Sequence, residues 1–184
     1  MTIKAGIIGA TGYAGEFIVR ILAGHPDAEA VYLSSSHAAG RKISEELPSL
    51  KGISDAVLQP EEIDNAADAC EVMFVAKKSV ESMKYAPYLL EQGVKVIDIG
   101  GEFRLKDAEI YRTWYGNEHT CPELLEQAVY GLCEISREQV QDAQLCSNPG
   151  CYPTASILGL HPFVRELGES VTGINISASS GVSG

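Results

Sequence analysis

One cysteine stands where it could act as a nucleophile. Cys151 follows a Pro-Gly turn in the stretch SNPGCYPT and lies two residues before Pro153. Proline is favoured in the first turn of a helix, where its missing N–H costs nothing. Because unpaired backbone donors and the helix dipole favour a thiolate at such a position, we expect a reactive Cys151 about at the N-cap of a helix. The alternative is a buried helix-start cysteine with no chemical role.

The other four cysteines lack this setting. They are Cys70, which leads into an apolar run, Cys121 and Cys133 in irregular stretches, and Cys146 in a short apolar run. We interpret them as small buried or incidental side chains. An odd number of cysteines without a CxxC pair indicates reduced thiols rather than a disulfide framework or a zinc site. We therefore expect a cytoplasmic protein with no metal site.

A glycine-rich turn near the start of the chain could hold a dinucleotide. In GATGYAG the glycines lie between the apolar run 5–8 and a segment of helical character. Glycines allow a tight turn and a close approach to a pyrophosphate, and the helix N-terminus supplies free N–H groups. The spacing is GxxGxxG instead of GxGxxG, and a glycine turn that binds nothing is the alternative. The predicted cofactor-binding residues here are Gly9, Thr11, Gly12, Tyr13, Ala14 and Gly15.

The segment after the second predicted strand, SSSHAAGRK, indicates which dinucleotide is bound. An NAD-binding protein usually places an acid here for the ribose hydroxyls. This chain instead has Ser34, Ser35 and Ser36, which suit a phosphate, and Arg41 or Lys42 could neutralise its charge. These residues favour NADP(H) over NAD. A solvated loop with incidental basic residues is the alternative.

A thiolate beside a reduced nicotinamide suggests one reaction. The thiolate attacks an activated acyl group, the leaving group departs, and hydride transfer to the thioester releases an aldehyde. This scheme also needs an acid–base group, for which histidine is the usual choice. His161 lies too far along the predicted helix, and we expect His25, His37 and His119 to be solvated. We therefore expect the acid–base residue to lie outside these residues.

The elements that must position these groups alternate between strands and helices. Short β-branched runs such as KAGIIG, EAVYLSS, EVMFVA and VKVIDIG alternate with segments of helical character. This alternation predicts βαβ units and an α/β fold, with a Rossmann-like, mostly parallel sheet and helices on both faces. We assign residues 1–150 to an NADP-binding domain and residues 151–184 to the truncated start of an α+β catalytic and dimerisation domain.

Individual elements are predicted as well. In the first helix the apolar side chains of Phe17, Ile18, Ile21 and Leu22 fall close to one face. The further predicted elements are a helix over residues 80–92, an irregular region with short helices at best over 102–132, a helix from a capping box at Ser136 and Gln139 to about residue 143, a helix over 153–167 and a strand in GINISAS.

The charge balance argues against two classes of partner. The chain has 14 basic and 25 acidic residues and a formal net charge of -11, which would repel nucleic-acid phosphates and anionic lipid headgroups. No apolar run approaches the roughly 18 residues that suggest a membrane helix. The opening MTIKAGIIGATG leaves no room for a signal peptide. We expect a small-molecule substrate, and neither nucleic acid nor a membrane as a partner.

Six motifs together carry a family resemblance. GATGYAG, DIGGEFRL, WYGNEH, PELLEQAVYGL, SNPGCYPT and SSGVSG, in that order, resemble the N-acetyl-gamma-glutamyl-phosphate reductases. The resemblance implies reduction of N-acetyl-glutamyl 5-phosphate by NADPH to the semialdehyde, with release of phosphate, in arginine biosynthesis. It also implies that Cys151 is the residue acylated and that the full-length form is a homo-oligomer.

The resemblance and simple chemistry suggest further site residues. Ser180, Gly181, Val182 and Ser183 match a stretch near the nicotinamide end of the cofactor in the family. Arg104 in EFR is a candidate ligand of the acyl phosphate because a guanidinium can hold phosphate oxygens in a bidentate manner, with a surface salt bridge as the alternative. Asn148 is expected to orient the thioester oxygen or only to shape the turn.

The sequence also departs from the family pattern. Lys77, Lys78 and Ser79 stand where a Pro-His-Gly-like turn is common, which puts the usual cofactor contacts there in question. Family members are considerably longer, and the chain stops before the motif that holds their catalytic histidine. Two rivals therefore stay open: a reductase like aspartate-semialdehyde dehydrogenase, and a non-catalytic NADP-binding fragment.

Overall fold

The computed structural model describes residues 2–78 and 80–181 and contains one six-stranded sheet. Its strands are β1 (Ile3–Ile8), β2 (Ala28–Ser34), β3 (Val72–Val75), β4 (Lys95–Asp98), β5 (Val129–Tyr130) and β6 (Leu145–Ser147). The strand order is β2-β1-β3-β4-β6-β5, and every pair of these strands is parallel. The prediction of a Rossmann-like α/β fold is confirmed.

Helices cover both faces of this sheet. They are α1 (Tyr13–Ala23), α2 (Ile43–Glu46), α3 (Ile63–Ala69), α4 (Ser82–Glu91), α5 (Ala108–Tyr115), α6 (Cys133–Asp142) and α7 (Cys151–Leu167). Side chains alternate across a strand, so the neighbours Ile7 and Ile8 of β1 enter different cores. Ile7 belongs to the core that includes Val19 of α1, and Ile8 to the core that includes Met83 of α4. Both clusters are apolar, and their burial stabilises the sheet from two sides.

Helix α1 packs on the sheet through a different face from the one expected. Gly15, Val19 and Leu22 are buried, whereas Phe17 is 63% exposed and Ile21 is 65% exposed. Of the four apolar residues predicted to lie close to one face, Leu22 is buried, whereas Phe17 and Ile21 lie outside the packed face. Gly15 lies against the backbone of the preceding turn, so the face of α1 that carries Gly15 is the one that packs on the sheet.

The middle of the chain contains more structure than predicted. Within residues 102–132 the chain forms α5 and the short strand β5. Asp107 starts α5 by accepting hydrogen bonds from the backbone N–H groups of Glu109 and Ile110, at 2.8 and 2.9 Å. The predicted capping box at Ser136 is wrong. Its hydroxyl donates to the carbonyls of Tyr130 and Leu132, and its backbone is a non-helical kink inside α6.

The last described part of the chain is a helix without a core. Helix α7 has the expected position, but no described residue from 151 to 181 is buried. Residues 171–181 form no strand, so the strand predicted in GINISAS is wrong for this part of the chain. A strand needs a partner for its backbone hydrogen bonds, and no described strand pairs with this segment. No helix among the described residues is long and apolar enough to cross a membrane.

Candidate active site

The site lies at the carboxyl ends of the parallel strands. Strand β1 is flanked by β2 on one side and β3 on the other, so the chain changes direction between β1 and β3. Ligands of open α/β sheets bind outside the carboxyl edge at such a switch point. The glycine-rich turn follows β1 at that edge.

The glycines of this turn are required by its geometry. Gly9 has a φ of 85°, and a Cβ there would lie 2.6 Å from the carbonyl oxygen of Ala76. A Cβ on Gly15 would overlap the carbonyl oxygen of Gly9 and lie 2.8 Å from backbone atoms of Ala10. Gly12 is the N-cap of α1, has no side chain to cap the helix, and leaves ordinary space around a Cβ position. The open helix start above a tight turn fits a pyrophosphate.

A hydroxyl contact joins the turn to the end of β2. The Oγ1 atom of Thr11 lies 3.1 Å from the Oγ atom of Ser35. Ser34 and Ser35 are buried, and Ser36 is exposed. The guanidinium of Arg41 is 59% exposed and pairs with the Glu46 carboxylate of α2. The structure thus brings Ser35 to the turn and directs Arg41 toward an acid.

Two charged residues lie near the turn: Lys77, which the sequence marks as a departure from the family pattern, and Glu61, which the sequence did not single out. The Cδ atom of Lys77 lies 3.0 Å from the position of a Cβ on Gly9. The Nζ atom of Lys77 donates to both carboxylate oxygens of Glu61, at 2.8 and 3.0 Å. The position of Lys77 just after β3 was a usable signal, because β3 neighbours β1. The sequence contains no comparable signal for Glu61, because its segment reaches the site only through a β-bridge between Gln59 and Ser34.

The cysteine turn forms a second part of the same edge. Strand β6 ends at Ser147, and Gly150 is the N-cap of α7. Cys151 is therefore the first helical residue rather than the N-cap, and it is exposed. The Oγ1 atom and the backbone nitrogen of Thr154 both donate to the carbonyl of Gly150, each at 2.9 Å. These bonds fix the start of the helix below the thiol.

Arg104 lies beside this turn. Its Nε atom donates to the carbonyl of Asn148 at 2.8 Å, and its Nη2 atom donates to the carbonyl of Ile99 at 3.2 Å. Its Nη1 atom lies 3.3 Å from the position of a Cβ on Gly150. The guanidinium is bound to carbonyls, and no ion pair is formed by it within the described ranges, so a surface salt bridge does not explain it.

Arg104 and Cys151 border one cavity. Its volume is about 350 Å³, and its lining includes Tyr115, Tyr130 and Pro153. Asn148 is not among the residues that line this cavity, and its Nδ2 atom donates to the carbonyl of Pro149 at 3.1 Å. The geometry therefore supports the turn-shaping role for that residue.

Buried carboxylates anchor the loop that carries Arg104. Asp98 is fully buried, and its Oδ1 atom accepts hydrogen bonds from the Ser82 hydroxyl and from the backbone N–H of Gly100. Burial raises the pKa of Asp98 to about 6. The Glu102 carboxylate accepts from the backbone N–H groups of Val80 and Gly101, at 2.6 and 2.8 Å. The two acidic residues of the DIGGE stretch could have indicated this hydrogen-bond network, but the sequence patterns did not predict it.

The cysteines differ in their surroundings. Burial raises the pKa of the thiols of Cys70, Cys121 and Cys146 to about 11, which suits unreactive side chains. Cys133 is exposed and begins α6, but it does not line the cavity beside Arg104. Cys151 is the exposed thiol that the cavity includes.

The histidines do not supply a base at this cavity. His25, His37 and His161 are exposed, as expected. His119 is buried, so its prediction as a solvated residue is wrong. Its Nε2 atom lies 3.1 Å from the carbonyl oxygen of Glu102, and burial lowers its pKa. Its ring contacts other aromatic rings edge-on, which keeps it within the core. None of the four lines the cavity that the described residues form around Cys151.

Of the residues predicted near the nicotinamide, the structure describes Ser180 and Gly181. Ser180 and Gly181 are exposed, and the Ser180 hydroxyl donates to the carbonyl of Gly181. Within the described part of the chain no hydrogen bond joins them to the glycine turn. Val182 and Ser183 lie outside the described residues.

Curated proteins of one name are similar to this chain in sequence. The chain is 47% identical over 178 residues to the N-acetyl-gamma-glutamyl-phosphate reductase of Geobacillus sp. (strain WCH70), with 97% of this chain and 52% of the relative covered. It is 42% identical over 183 residues to the protein of the same name from Magnetococcus marinus, with 100% of this chain and 52% of the relative covered. The resemblance to these reductases is confirmed, and the chain spans about half the length of these curated relatives.

Solved structures and a family profile identify the domain. Aspartate semialdehyde dehydrogenase with NADP from Candida albicans is 21% identical, with a TM-score of 0.62 and coverage of 91% of this chain and 48% of that one. At this identity the likeness shows the fold alone. The profile described as semialdehyde dehydrogenase, NAD binding domain, matches residues 4–143. The chain therefore belongs to the family of semialdehyde dehydrogenase NAD-binding domains.

Proposed function

We propose that this chain carries the cofactor-binding domain and the nucleophile of an NADPH-dependent N-acetyl-gamma-glutamyl-phosphate reductase. The reaction converts N-acetyl-glutamyl 5-phosphate into N-acetyl-glutamate 5-semialdehyde and phosphate, a step of arginine biosynthesis. The observation that carries the proposal is the exposed Cys151 at the start of α7, in the cavity that Arg104 borders. Relatives that carry this name at 42% to 47% identity support the choice of substrate.

In this proposal the two parts of the chain divide the work. Residues 1–150 form the NADP-binding domain, and residues 151–184 begin the catalytic and dimerisation domain. The division is supported by burial, because the apolar cores end at Leu145 and no described residue after 150 is buried. We also propose a homo-oligomer for the full-length protein and a cytoplasmic location, in keeping with five free cysteines.

The glycine turn binds NADP(H) in this proposal. Backbone N–H groups at the start of α1 hold the pyrophosphate, and the hydroxyls at the end of β2 face the adenosine ribose. When bound, the nicotinamide supplies a hydride to the acyl carbon. Arg41 would reach the 2′-phosphate by leaving Glu46, and Ser180, Gly181 and Ser183 would lie toward the nicotinamide.

Cys151 performs the covalent step. Its thiolate attacks the carbonyl carbon of the acyl phosphate, a C–S bond forms, and the C–O bond to phosphate breaks as phosphate leaves. Reduction of the resulting thioester then releases the aldehyde and returns the thiolate. Arg104 binds the phosphate of the substrate through its free N–H groups, and its bonds to backbone carbonyls keep the guanidinium in place. Asn148 holds the turn that presents the thiol.

The test compares two acyl phosphates. NADPH consumption is measured with N-acetyl-glutamyl 5-phosphate and with aspartyl phosphate. If the gene continues past Gly184, the assay uses the product of the complete gene. We expect turnover with the first and at least about a hundredfold lower kcat/KM with the second. A preference for aspartyl phosphate would favour the aspartate-semialdehyde dehydrogenase alternative. NADPH binding without turnover of either compound would favour a non-catalytic NADP-binding module.

A further inference from the structure

A lysine side chain lies against the glycine turn. Lys77 follows β3, the strand that pairs with β1 on the side away from β2. The carbonyl of the preceding residue, Ala76, lies 2.6 Å from the position of a Cβ on Gly9, and Cδ of Lys77 lies 3.0 Å from the same point. The aliphatic part of Lys77 therefore passes directly beside the glycine where a dinucleotide backbone would run.

The ammonium group of this lysine is held by an acid. Glu61 accepts from Nζ of Lys77 through both carboxylate oxygens, at 2.8 and 3.0 Å, and the side chains of the pair are only 19% and 15% exposed. The Tyr85 hydroxyl donates to the same carboxylate at 3.3 Å. Glu61 follows the segment that bridges to Ser34 of β2. The ammonium thus lies between the glycine turn and the acid-bearing segment that adjoins β2.

The two arginines of this part of the chain have acidic partners elsewhere. Arg41 pairs with Glu46 and is 59% exposed, and Arg20 bonds to Glu16 and to the carbonyl of Ser49. In a chain with a net charge of -11, a local cation would favour the binding of a dinucleotide with two or three phosphate groups. Lys77 is the cation whose side chain lies against Gly9 of the turn.

We propose that Lys77 is a phosphate ligand of the dinucleotide, held in its binding position by Glu61 until the cofactor arrives. This inference rests on the proposed function, because it requires that the glycine turn binds NADP(H). The phosphate is either the pyrophosphate, which would pass beside Gly9, or the 2′-phosphate of the adenosine ribose. In both cases Glu61 competes with the phosphate for the same ammonium, so binding exchanges one charge-assisted hydrogen bond for another.

The experiment measures dinucleotide affinity in the 184-residue chain by calorimetric titration. The variants are Lys77→Met, Glu61→Gln, the double variant with both changes, and Lys77→Arg. Lys84→Met is the matched control, because Lys84 also pairs with a glutamate, Glu81, but is 63% exposed on α4. Thermal unfolding without cofactor verifies that each variant is folded. In Lys77→Met, the Glu61 carboxylate would be left without its cation and could itself repel the phosphate. The double variant removes that charge as well.

We expect Lys77→Met to weaken NADPH binding about ten- to a hundredfold, which is the usual effect of losing a charge-assisted hydrogen bond. Lys77→Arg should recover part of the affinity, Lys84→Met should leave it unchanged, and Glu61→Gln should increase it. Equal losses for NADPH and NADH would identify the pyrophosphate as the ligand, and a loss for NADPH alone would identify the 2′-phosphate.

Two results would overturn the inference, and they are distinguishable. If the wild-type chain binds NADPH and the folded double variant binds it as tightly as Glu61→Gln does, Lys77 contacts no phosphate while the proposed function stands. If the wild-type chain binds neither dinucleotide, the proposed function and the inference fail together.

Discussion

The turn from β1 into α1 and the turn from β6 into α7 begin alike and end differently. Both leave the carboxyl edge of the sheet, and both have a glycine N-cap without a side-chain cap, Gly12 and Gly150. Helix α1 then buries Gly15, Val19 and Leu22. Helix α7 buries no residue, and its cysteine turn is held from the strand side by Arg104 and the backbone of residue 148.

This difference suggests that the first turn serves cofactor binding and the second turn serves the chemical step. The glycine turn is enclosed by residues of its own domain, so its shape depends on contacts that the described chain contains. The cysteine turn presents a thiol and a cation to an open cavity, with no histidine among the lining residues that are described. We therefore expect changes at the first turn to weaken cofactor binding, and also to lower stability where the added atoms would meet backbone. Changes at the second turn should affect the chemical step.

The largest effect is expected at the thiol. Cys151→Ser should lower turnover of the acyl phosphate by at least about a thousandfold, because an alcohol at this position is not ionised near neutral pH. Its NADPH affinity should stay unchanged. Cys133→Ser is the matched control, since Cys133 is also an exposed first residue of a helix, and it should retain turnover. An active Cys151→Ser enzyme would refute the nucleophile assignment.

The glycine turn should respond in stability as well as in binding. Gly15→Ala places a methyl group onto the backbone of Gly9 and Ala10, so it should lower the free energy of unfolding by about 3 kcal/mol. Gly12→Ala meets only ordinary contact and should weaken NADPH binding without that loss of stability. Urea unfolding and NADPH titration of the two variants measure the contrast. Equal stabilities would mean that the turn is less tightly packed than the structure indicates.

Asp98 should make the loop beside the cysteine turn sensitive to pH. Burial raises the pKa of Asp98 from 3.8 to about 6, so the folded state holds this proton more tightly than the unfolded state. The resulting stabilisation, roughly 3 kcal/mol, is fully present below about pH 4 and is lost as the pH rises through about 6. Asp98→Asn should therefore gain stability relative to wild type between these pH values. Urea unfolding of both proteins across that range measures this difference in stability. Parallel stability–pH profiles for wild type and Asp98→Asn would contradict the raised pKa of Asp98.

A smaller effect is expected at Arg104. Arg104→Lys keeps the charge but loses the planar fork, so the two carbonyl bonds and bidentate phosphate binding cannot both persist. We expect kcat/KM for the acyl phosphate to fall about tenfold, with NADPH affinity unchanged. Arg112→Lys is the control, because Arg112 is exposed and pairs only with Glu109 of its own helix. Equal kcat/KM values for the two variants would remove Arg104 from the substrate site.

The sequence predicted those features that depend on neighbours along the chain. The glycine turn lies between a strand and a helix as expected, and Cys151 begins a helix because Pro153 fits its first turn. The parallel sheet followed from the alternation of apolar runs with helical segments. Each of these features is set within about fifteen residues, where propensity and steric rules act directly.

Features set by distant contacts could not be predicted in this way. Glu61 reaches Lys77 only because residue 59 bridges to β2, and His119 is buried by aromatic rings from α5 and the preceding loop. Phe17 is exposed, and the packed face of α1 instead carries Gly15, whose close contact with backbone does not register in apolar periodicity. The strand expected in GINISAS lacks a partner within the described chain, and strands form only in pairs.

The role of Cys151 as the nucleophile is tested most directly by trapping of the acyl group. The protein is mixed with N-acetyl-glutamyl 5-phosphate without NADPH, quenched in acid and digested, and the cysteine peptides are weighed by mass spectrometry. We predict an added N-acetyl-glutamyl group on the peptide that contains Cys151, retained in Cys133→Ser and lost in Cys151→Ser. An acyl group on Cys133, or phosphate release with Cys151 unmodified, would contradict the account.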